Sequence, residues 1–284
     1  MNKFWQTSKR RIETEAKTLV MAILNVTPDS FSDGGKFFVI DEALRQAEKL
    51  IAEGADILDV GGESTRPNAE RVSADEETRR VVPVVEAIVK RFDVPVSIDT
   101  SKAAVAEHAV GAGAEIINDV SGLRFDERIG EVAAKYQTGI VLMHLRGTFE
   151  TMHKLAPVKN IFAEVTNGFH QSIEKARAFG VGDAQIALDV GIGFSKTFDQ
   201  NLELIAKLDK LIAEFPEFPM LVGASRKSFV GKILGDDVPP DERINGSLGS
   251  AAIAAWNGAN IVRVHDVKST VEIMKVVGAL KTKI

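Results

Sequence analysis

Three acidic or amide side chains stand where short apolar runs of this 284-residue chain end, namely Asp99, Asn118 and Asp189. Carboxylates and amides carry paired hydrogen-bonding atoms, which suit the N–H and C=O edge of a flat heterocycle such as a pterin or purine. Each also has an ordinary structural alternative, a helix cap for Asp99 and a local turn for the other two. Because all three follow apolar runs in the same way, we expect them to form a binding site.

A second group of residues near the ends of such runs is cationic by type. Its members are Arg66, Arg226, Lys227, Arg263 and His265. Phosphate groups bind where Arg and Lys side chains meet free backbone N–H groups, often at a helix start. The alternatives are a solvated helix start for Arg226 or Lys227, and a buried ion pair for Arg263, which lies inside an apolar run. We expect this second group to bind an anion.

Eight runs rich in Val, Ile and Leu supply the elements that must position these side chains. The polar residues that end them are Asn25, Glu63, Asp99, the pair Asn118 and Asp119, His144, Asp189, Ser225, and the pair His265 and Asp266. Short runs of this kind are typical of strands buried on both faces, and helical patterns fill nearly every gap between them. The alternation predicts an α/β fold, a (β/α)8 TIM barrel, with residues 1–284 as a single domain. Both groups of polar residues then share the mouth at the carboxyl ends of the strands.

Amphipathic patterns place the helices between these runs. The predicted helices are 41–53, 74–91, 102–110, 124–137, 161–179, 200–215, 247–256 and 267–280. Ser73, followed three residues later by Glu76, is expected to cap the second of them. Two connections, 25–38 and 61–73, are unusually long for a compact domain, which is typical of binding loops.

Composition limits the classes of function. The chain has 35 Lys and Arg against 40 Asp and Glu, so its net charge of −5 favours neither nucleic acid nor a membrane surface as a partner. It contains no cysteine, which excludes disulfides, thiolate catalysis and zinc–thiolate sites. No histidine pair has the spacing of metal ligands. The first residues lack the apolar core of a signal peptide, and no apolar stretch reaches the ~18 residues of a membrane helix. We therefore expect a cytoplasmic protein.

The longest polar motifs resemble those of the dihydropteroate synthases, a family of folate-pathway enzymes. The matching segments are 21–35, 61–67, 97–100, 116–119, 142–144, 225–228 and 263–266. They occur in the family's order and span almost the whole chain, and the first two are long enough to be specific. Val190 departs from the family pattern, which usually has proline there, and Ala22 and Asn68 replace usual glycines.

The resemblance implies a (β/α)8 barrel and a transferase of folate biosynthesis. In the family's reaction, the amine of p-aminobenzoate displaces pyrophosphate from (7,8-dihydropterin-6-yl)methyl diphosphate and gives 7,8-dihydropteroate. The resemblance also implies Mg²⁺ as the cofactor, these two small molecules as substrates, a homodimer, and sulfonamides as inhibitors of the family.

The same resemblance assigns site residues. The catalytic residues it implies are Asp99, Asp189, Lys227 and Arg263. The residues implied for the pterin diphosphate are Thr65, Arg66, Asp99, Asn118, Met143, Asp189, Lys227, Arg263 and His265. The residues implied for p-aminobenzoate are Phe31, Pro67, Phe194, Lys227 and Ser228. Asn25 is implied as the residue that helps to hold Mg²⁺.

Two other functions are compatible with the same sequence. A pterin-binding module that presents a methylated folate to a corrinoid protein needs the pterin residues, but neither the diphosphate cations nor the loop after Asn25. A non-catalytic paralogue binds the substrates without turnover. Binding of pyrophosphate that depends on Mg²⁺ distinguishes the synthase from the first, and release of pyrophosphate distinguishes it from the second.

Overall fold

The computed structural model describes residues 4–26, 36–63, 71–148, 151–152, 155, 157–235 and 238–283, of which 36–39 are described by their backbone alone. Four of the predicted site residues, Phe31, Thr65, Arg66 and Pro67, lie outside the described residues. Their roles stay predictions.

Eight parallel strands close into a barrel, which confirms the fold predicted from the apolar runs. The described residues contain ten strands, of which the last eight form the barrel: β1 (Phe4–Gln6), β2 (Arg11–Glu13), β3 (Leu19–Asn25), β4 (Ile57–Gly61), β5 (Val96–Asp99), β6 (Ile116–Asp119), β7 (Gly139–Met143), β8 (Ile186–Asp189), β9 (Met220–Val222) and β10 (Ile261–Val264). Strands β3 to β10 follow chain order around the ring, and β10 closes it by pairing with both β9 and β3. The polar run ends therefore do meet at one mouth.

The helices surround the barrel. They are α1 (Lys36–Ala52), α2 (Ala74–Arg91), α3 (Ala103–Gly111), α4 (Arg128–Tyr136), α5 (Ile161–Ala178), α6 (Phe198–Ala206), α7 (Leu208–Glu214), α8 (Ser228–Leu234), α9 (Ile244–Trp256) and α10 (Val267–Lys281). As predicted, Ser73 caps α2 by accepting a hydrogen bond from Glu76 N at 3.2 Å. The helix predicted over 200–215 is divided at Lys207 into α6 and α7, and α8 was not predicted. Within the described ranges, none of the helices is long and apolar enough to cross a membrane.

The barrel interior changes from apolar to polar along the strands. Successive side chains of a strand point to opposite faces, so every second residue points inward. The inward layer near the amino ends is apolar and consists of Met21, Ile57, Ile116, Val141, Ala187, Leu221 and Ile261. The alternate residues, such as Val20 and Leu58, pack outward with the helices. Two residues farther along, four of the same strands carry Asp59, Asn118, Asp189 and Arg263. The pleat thus delivers polar groups to the mouth.

A hairpin of β1 and β2, which the sequence patterns did not predict, covers the opposite end of the barrel. Trp5 is fully buried against the apolar inward layer, and its Nε1 donates to Gln185 O at 2.7 Å. Arg10 holds the hairpin through Glu115, with Nε–Oε2 at 3.0 Å and Nη2–Oε1 at 2.9 Å. Three-residue strands are too short for side-chain alternation to reveal them.

Candidate active site

Arg263 lies between two carboxylates inside the mouth of the barrel. Its Nε donates to Asp59 Oδ2 at 2.6 Å, and its Nη2 donates to Asp99 Oδ2 at 2.6 Å. Asp59 is fully buried and also accepts a hydrogen bond from Asn118 Nδ2 at 3.0 Å. The buried ion pair considered for Arg263 is therefore present. It has two carboxylate partners, and it joins β10 to β4 and β5.

One guanidinium shared by two carboxylates sets the protonation of this network. Burial raises the pKa of Asp99; Arg263 lowers it, and the negative charge of Asp59 raises it again. Although burial lowers the pKa of Arg263, the two carboxylates raise it well above its ordinary value. Arg263 therefore stays charged, while Asp99 accepts a proton more readily than an exposed aspartate does.

Asp189 and Lys227 bring a third carboxylate and a second cation to the mouth. Asp189 ends β8, and its Oδ1 accepts a hydrogen bond from Gly191 N at 2.8 Å, which is the local turn considered for it. Burial raises the pKa of Asp189, whereas Gly191 and Lys227 lower it. Burial and Arg263 lower the pKa of Lys227 to about 8, while Asp189 and Asp99 raise it. Hence three carboxylates and two cations form one electrostatically coupled group, which we call the mouth cluster: Asp59, Asp99, Asp189, Lys227 and Arg263.

Lys227 also faces an aromatic wall. Its Nζ lies 4.0 Å from the ring centroid of Phe194, within the range of a cation–π contact. Its aliphatic stem passes Gly193, where an added Cβ would lie 3.0 Å from Lys227 Cδ and where φ is +83°. Phe194 packs in a small apolar group that includes Met143 at the end of β7. Ser228, the first residue of α8, is exposed beside Lys227. The ammonium group therefore lies near both the acidic groups and a flat apolar surface.

Asn25 ends β3 on the same rim as Asp99. Both residues pair in register with Gly61, which lies between them. A Cβ added to Gly61 would lie 3.5 Å from Asn25 Oδ1 and 3.6 Å from Asp99 Cβ. An amide oxygen is the hard donor that Mg²⁺ prefers, and Mg²⁺ usually takes few protein ligands because substrate phosphates supply others. Within the described part of the chain, no three His, Asp or Glu form a metal cage. A single ligand such as Asn25 fits a metal brought by a diphosphate.

The ring of His265 is neutral, and the positive charge of Arg226 is paired with a carboxylate. Burial and Arg226 lower the pKa of His265 to about 3, so its ring is neutral near pH 7, with Nδ1 3.0 Å from Ser225 Oγ. Arg226 forms a two-point ion pair with Asp266, Nε–Oδ2 at 3.1 Å and Nη2–Oδ1 at 2.7 Å. The anion-binding role expected for these two residues therefore stays a prediction, in which His265 would act as a neutral ring and Arg226 as one half of an ion pair.

Asp119 and Asn118 have different roles although they are adjacent. Asp119 shapes a turn, since its Oδ1 accepts from Ser121 N at 2.8 Å and its Oδ2 from Leu123 N at 2.6 Å. Burial raises the pKa of Asp119 to about 6. Asn118 instead contacts Asp59, which sequence reasoning missed because it lies within an apolar run. The available signal was its position in the middle of that run, where an unpaired charge would be costly.

A cavity of about 490 Å³ lies among the loops after β5, β6 and β7. The residues that line it are Arg71, Ser101, Lys102, Phe125, Asp126, Arg128 and Thr148. Lys102 pairs with Glu63 at 3.0 Å, and Arg128 pairs with Asp126 at 2.9 Å. Because these charges are paired and no predicted site residue is among those lining residues, we do not assign the pterin site to this cavity.

Comparison with known proteins gives consistent relatives over nearly the whole chain. A family described as "Pterin binding enzyme" matches residues 21–265. The chain is 47% identical over 264 residues to dihydropteroate synthase of Synechocystis sp., covering 93% of this chain and 90% of that protein. It is 48% identical over 264 residues to dihydropteroate synthase of Escherichia coli, covering 92% and 90%.

Similar solved structures include three complexes with small molecules. Yersinia pestis dihydropteroate synthase with a sulfonamide drug has a TM-score of 0.91 at 44% identity, covering 98% of this chain and 99% of that one. The Xanthomonas albilineans enzyme with 4-aminobenzoic acid has a TM-score of 0.90 at 37% identity, covering 99% of each chain. The Clostridium difficile enzyme in the presence of pteroic acid has a TM-score of 0.87 at 42% identity, covering 93% and 97%.

Proposed function

The chain belongs to the pterin binding enzyme family, and from that premise we propose that it acts as a dihydropteroate synthase. The reaction joins the amine nitrogen of p-aminobenzoate to the exocyclic methylene carbon of (7,8-dihydropterin-6-yl)methyl diphosphate. The bond from that carbon to the diphosphate oxygen breaks, and the amine loses one proton. The products are 7,8-dihydropteroate and pyrophosphate, so the protein is a transferase of folate biosynthesis.

The observation that carries this proposal is the mouth cluster, in which Arg263 donates to Asp59 and Asp99 at 2.6 Å each, and Lys227 and Asp189 shift each other's pKa. Asp99, Asp189 and Asn118 offer acceptors and a donor to the N–H and C=O edge of the pterin. Met143 packs on the ring, and Arg263 stacks against it with its plane fixed by two carboxylates. A buried charge-assisted edge of this kind selects a pterin over a ring that lacks the matching groups.

Departure of the diphosphate is the step that the cations assist. Lys227 and Arg263 face the developing negative charge of the leaving group, and fixed charges of this kind stabilise a transition state without reorganisation. The neutral ring of His265, held by Ser225, contacts a phosphoryl oxygen as a hydrogen-bond partner. Thr65 and Arg66 keep their predicted role at the same oxygens. Positioning and electrostatics then supply most of the catalysis, and no covalent protein intermediate is needed.

The cofactor we propose is Mg²⁺, with Asn25 as a residue that holds it. When bound, the metal neutralises negative charge on the diphosphate and makes pyrophosphate a better leaving group. The support is the position of Asn25 Oδ1 on the rim beside Asp99, with Gly61 leaving room between them.

The p-aminobenzoate site in this proposal adjoins Phe194 and Lys227. The aromatic ring of the substrate packs on Phe194. The ammonium of Lys227, which lies 4.0 Å from the centroid of the Phe194 ring, holds the amine end of p-aminobenzoate near the methylene carbon. Ser228 lies at the exposed start of α8, where it meets the carboxylate end of the substrate. Phe31 and Pro67 keep their predicted place in this pocket.

A homodimer in the cytoplasm completes the proposal. Helices α9 and α10 pack together and expose Ile253, Trp256, Val276 and Leu280, each at least 42% exposed. Neighbouring exposed apolar groups mark interaction surfaces, and a second copy would cover them. Sedimentation should give a dimer for the wild type and a monomer for Val276→Glu; a monomeric wild type contradicts the dimer. The charged diphosphate substrate supports the cytoplasm as the location, because such a molecule does not cross membranes.

The direct test of the activity measures pyrophosphate. Purified protein is mixed with Mg²⁺, p-aminobenzoate and the pterin diphosphate, and pyrophosphate release is followed together with formation of 7,8-dihydropteroate. Equal amounts of both products support the synthase. Absence of both at saturating substrate concentrations would overturn it.

A further inference from the structure

Lys196, on the loop between β8 and α6, directs its ammonium group at protein atoms rather than at solvent. Its Nζ lies 3.0 Å from His144 Nδ1, 3.1 Å from Phe194 O and 3.3 Å from His144 O. An ammonium group has three N–H donors, so the number of acceptors equals the number of donors. The proposed reaction does not use this lysine, and its type alone gave no reason to single it out.

Three further contacts fasten the same loop to the end of β7. His144 N donates to Asp189 O at 2.9 Å, and Arg146 N donates to Ser195 Oγ at 2.8 Å. Gly191, with φ of +65°, passes so close to His144 O that an added Cβ would lie 2.1 Å from it. Ser195 itself adopts φ of +50°, a strained conformation for a residue with a side chain. Strain of this kind persists only where surrounding contacts hold it.

We propose that Lys196 is a positioning residue for the aromatic amine substrate, because it ties the loop after β8 to the end of β7 and thereby fixes Phe194 against Lys227. The inference rests on the proposed function. The carbonyl that Lys196 binds and the ring that meets Lys227 belong to the same residue, Phe194, so the contact acts on the wall of the p-aminobenzoate site directly. Without the ammonium group, Phe194 O and His144 Nδ1 lose a charge-assisted donor.

The contact also depends on protonation. The charged or titratable groups that face Lys196 from the elements packed around it are His144, Arg146, Glu164, Asp189 and Lys227. Burial lowers the pKa of Lys196 to about 7; Asp189 raises it, and Lys227 lowers it again. Burial and Lys196 hold the pKa of His144 well below its ordinary value, so its ring stays neutral and one ring nitrogen is free to accept a hydrogen bond; the ammonium group beside Nδ1 favours the tautomer in which Nδ1 is that acceptor. Above pH 7 a neutral amine has two N–H donors for three acceptors, so the loop is held less firmly.

The test compares Lys196→Met with the wild type by steady-state kinetics between pH 6 and 8. At pH 6 we expect the KM for p-aminobenzoate to rise by about tenfold or more, the factor expected when one hydrogen bond to a charged group is lost. The KM for the pterin diphosphate and kcat should change much less. The wild-type KM for p-aminobenzoate should rise with pH, and this rise should be smaller in Lys196→Met. Lys227 and Asp99 titrate in both proteins, so the difference isolates Lys196.

Two variants accompany this comparison. Lys196→Arg keeps the charge at all these pH values, and we expect it to restore part of the affinity and to flatten the pH dependence. Lys207→Met is the matched control. Lys207 is an exposed lysine outside the site, and its Nζ lies 2.9 Å from Glu203 Oε1. Its kinetics should equal those of the wild type. Equal changes in both KM values and kcat for Lys196→Met would overturn the proposal, as would an unchanged KM for p-aminobenzoate.

Amide hydrogen exchange separates this inference from the proposed function. Residues 191–196 should exchange faster in Lys196→Met than in the wild type, with no such change in Lys207→Met. If the wild type makes no dihydropteroate, the proposed function fails, and this exchange measurement still decides whether Lys196 holds the loop. Unchanged exchange across 191–196 would overturn the positioning role even in an active enzyme.

Discussion

Replacing Lys227 by methionine should separate activity from stability. Methionine keeps most of the stem that passes Gly193 and removes the ammonium group beside Phe194. The lost cation faces both the carboxylates proposed to bind the pterin, Asp99 and Asp189, and the leaving group. Removing one preorganised electrostatic contact to a developing charge typically costs 10²–10³ in rate, about 2.7–4 kcal/mol. We therefore expect kcat/KM to fall by about a hundredfold or more.

The same substitution should leave the free energy of unfolding almost unchanged or raise it, although it lowers the activity. Lowering the pKa of Lys227 from 10.5 to about 8 corresponds to a penalty of about 3 kcal/mol for the charged form in the folded protein. Because the side chain is partly exposed, solvent screening reduces this penalty to about 1–2 kcal/mol. Against this, Asp189 and Asp99 lose one favourable neighbour but keep Arg263. The free energy of unfolding at pH 7 should therefore stay level or rise.

Urea unfolding and initial rates of pyrophosphate release, measured on the same samples, test this reasoning. Lys232→Met is the matched control, because Lys232 is an exposed lysine of α8, the helix that begins directly after Lys227. It should change neither quantity. Lys227→Met that unfolds about 2 kcal/mol more easily while retaining its kcat/KM would show that Lys227 is a structural lysine and would refute the assignment.

Three other substitutions test separate parts of the structure. Asp189→Asn removes the negative charge that faces the pterin, so kcat/KM for the pterin diphosphate should fall by about 10–100-fold. The substitution keeps the acceptor for Gly191 N, so the urea midpoint should change little; a loss of stability as large as the loss of activity would contradict this. Trp5→Ala should lower the free energy of unfolding by about 3–5 kcal/mol without changing either KM, because Trp5 is buried at the opposite end of the barrel. Gly191→Ala should lower the melting temperature and raise the KM for p-aminobenzoate, since its Cβ would meet His144 O; unaltered values would show that the loop yields easily.

Much of the fold was predictable because its signals are local. Each barrel strand is a run of apolar residues ended by a polar one, and the eight runs correspond to β3 through β10. The hairpin of β1 and β2 was missed, because each strand has only three residues and shows no recognisable side-chain alternation. Its stability comes from the burial of Trp5 against the end of the barrel. The break at Lys207 was missed for a similar reason: the apolar periodicity of 200–215 continues across it.

The position of the candidate site residues at the mouth was predictable from the sequence, but the pairing of their side chains was much less so. Asp99, Asn118, Asp189 and Arg263 end or nearly end their strands, so sequence order placed them at the mouth. That Arg263 takes Asp59 as one of its partners, 204 positions away in the chain, could not be read from spacing. Equally, Arg226 has the same residue type as Arg263, yet its pairing with Asp266 directs its charge elsewhere.

The sequence by itself determined the strand ends, the inward or outward side of each strand residue, and the kinds of chemical group at the mouth, because a strand's periodicity and its terminal residue are local properties. Only the tertiary structure decided which carboxylate shares which cation and in which direction each pKa moves. Desolvation and Coulomb interactions depend on distance and burial in three dimensions, and these quantities exist only once the barrel has closed.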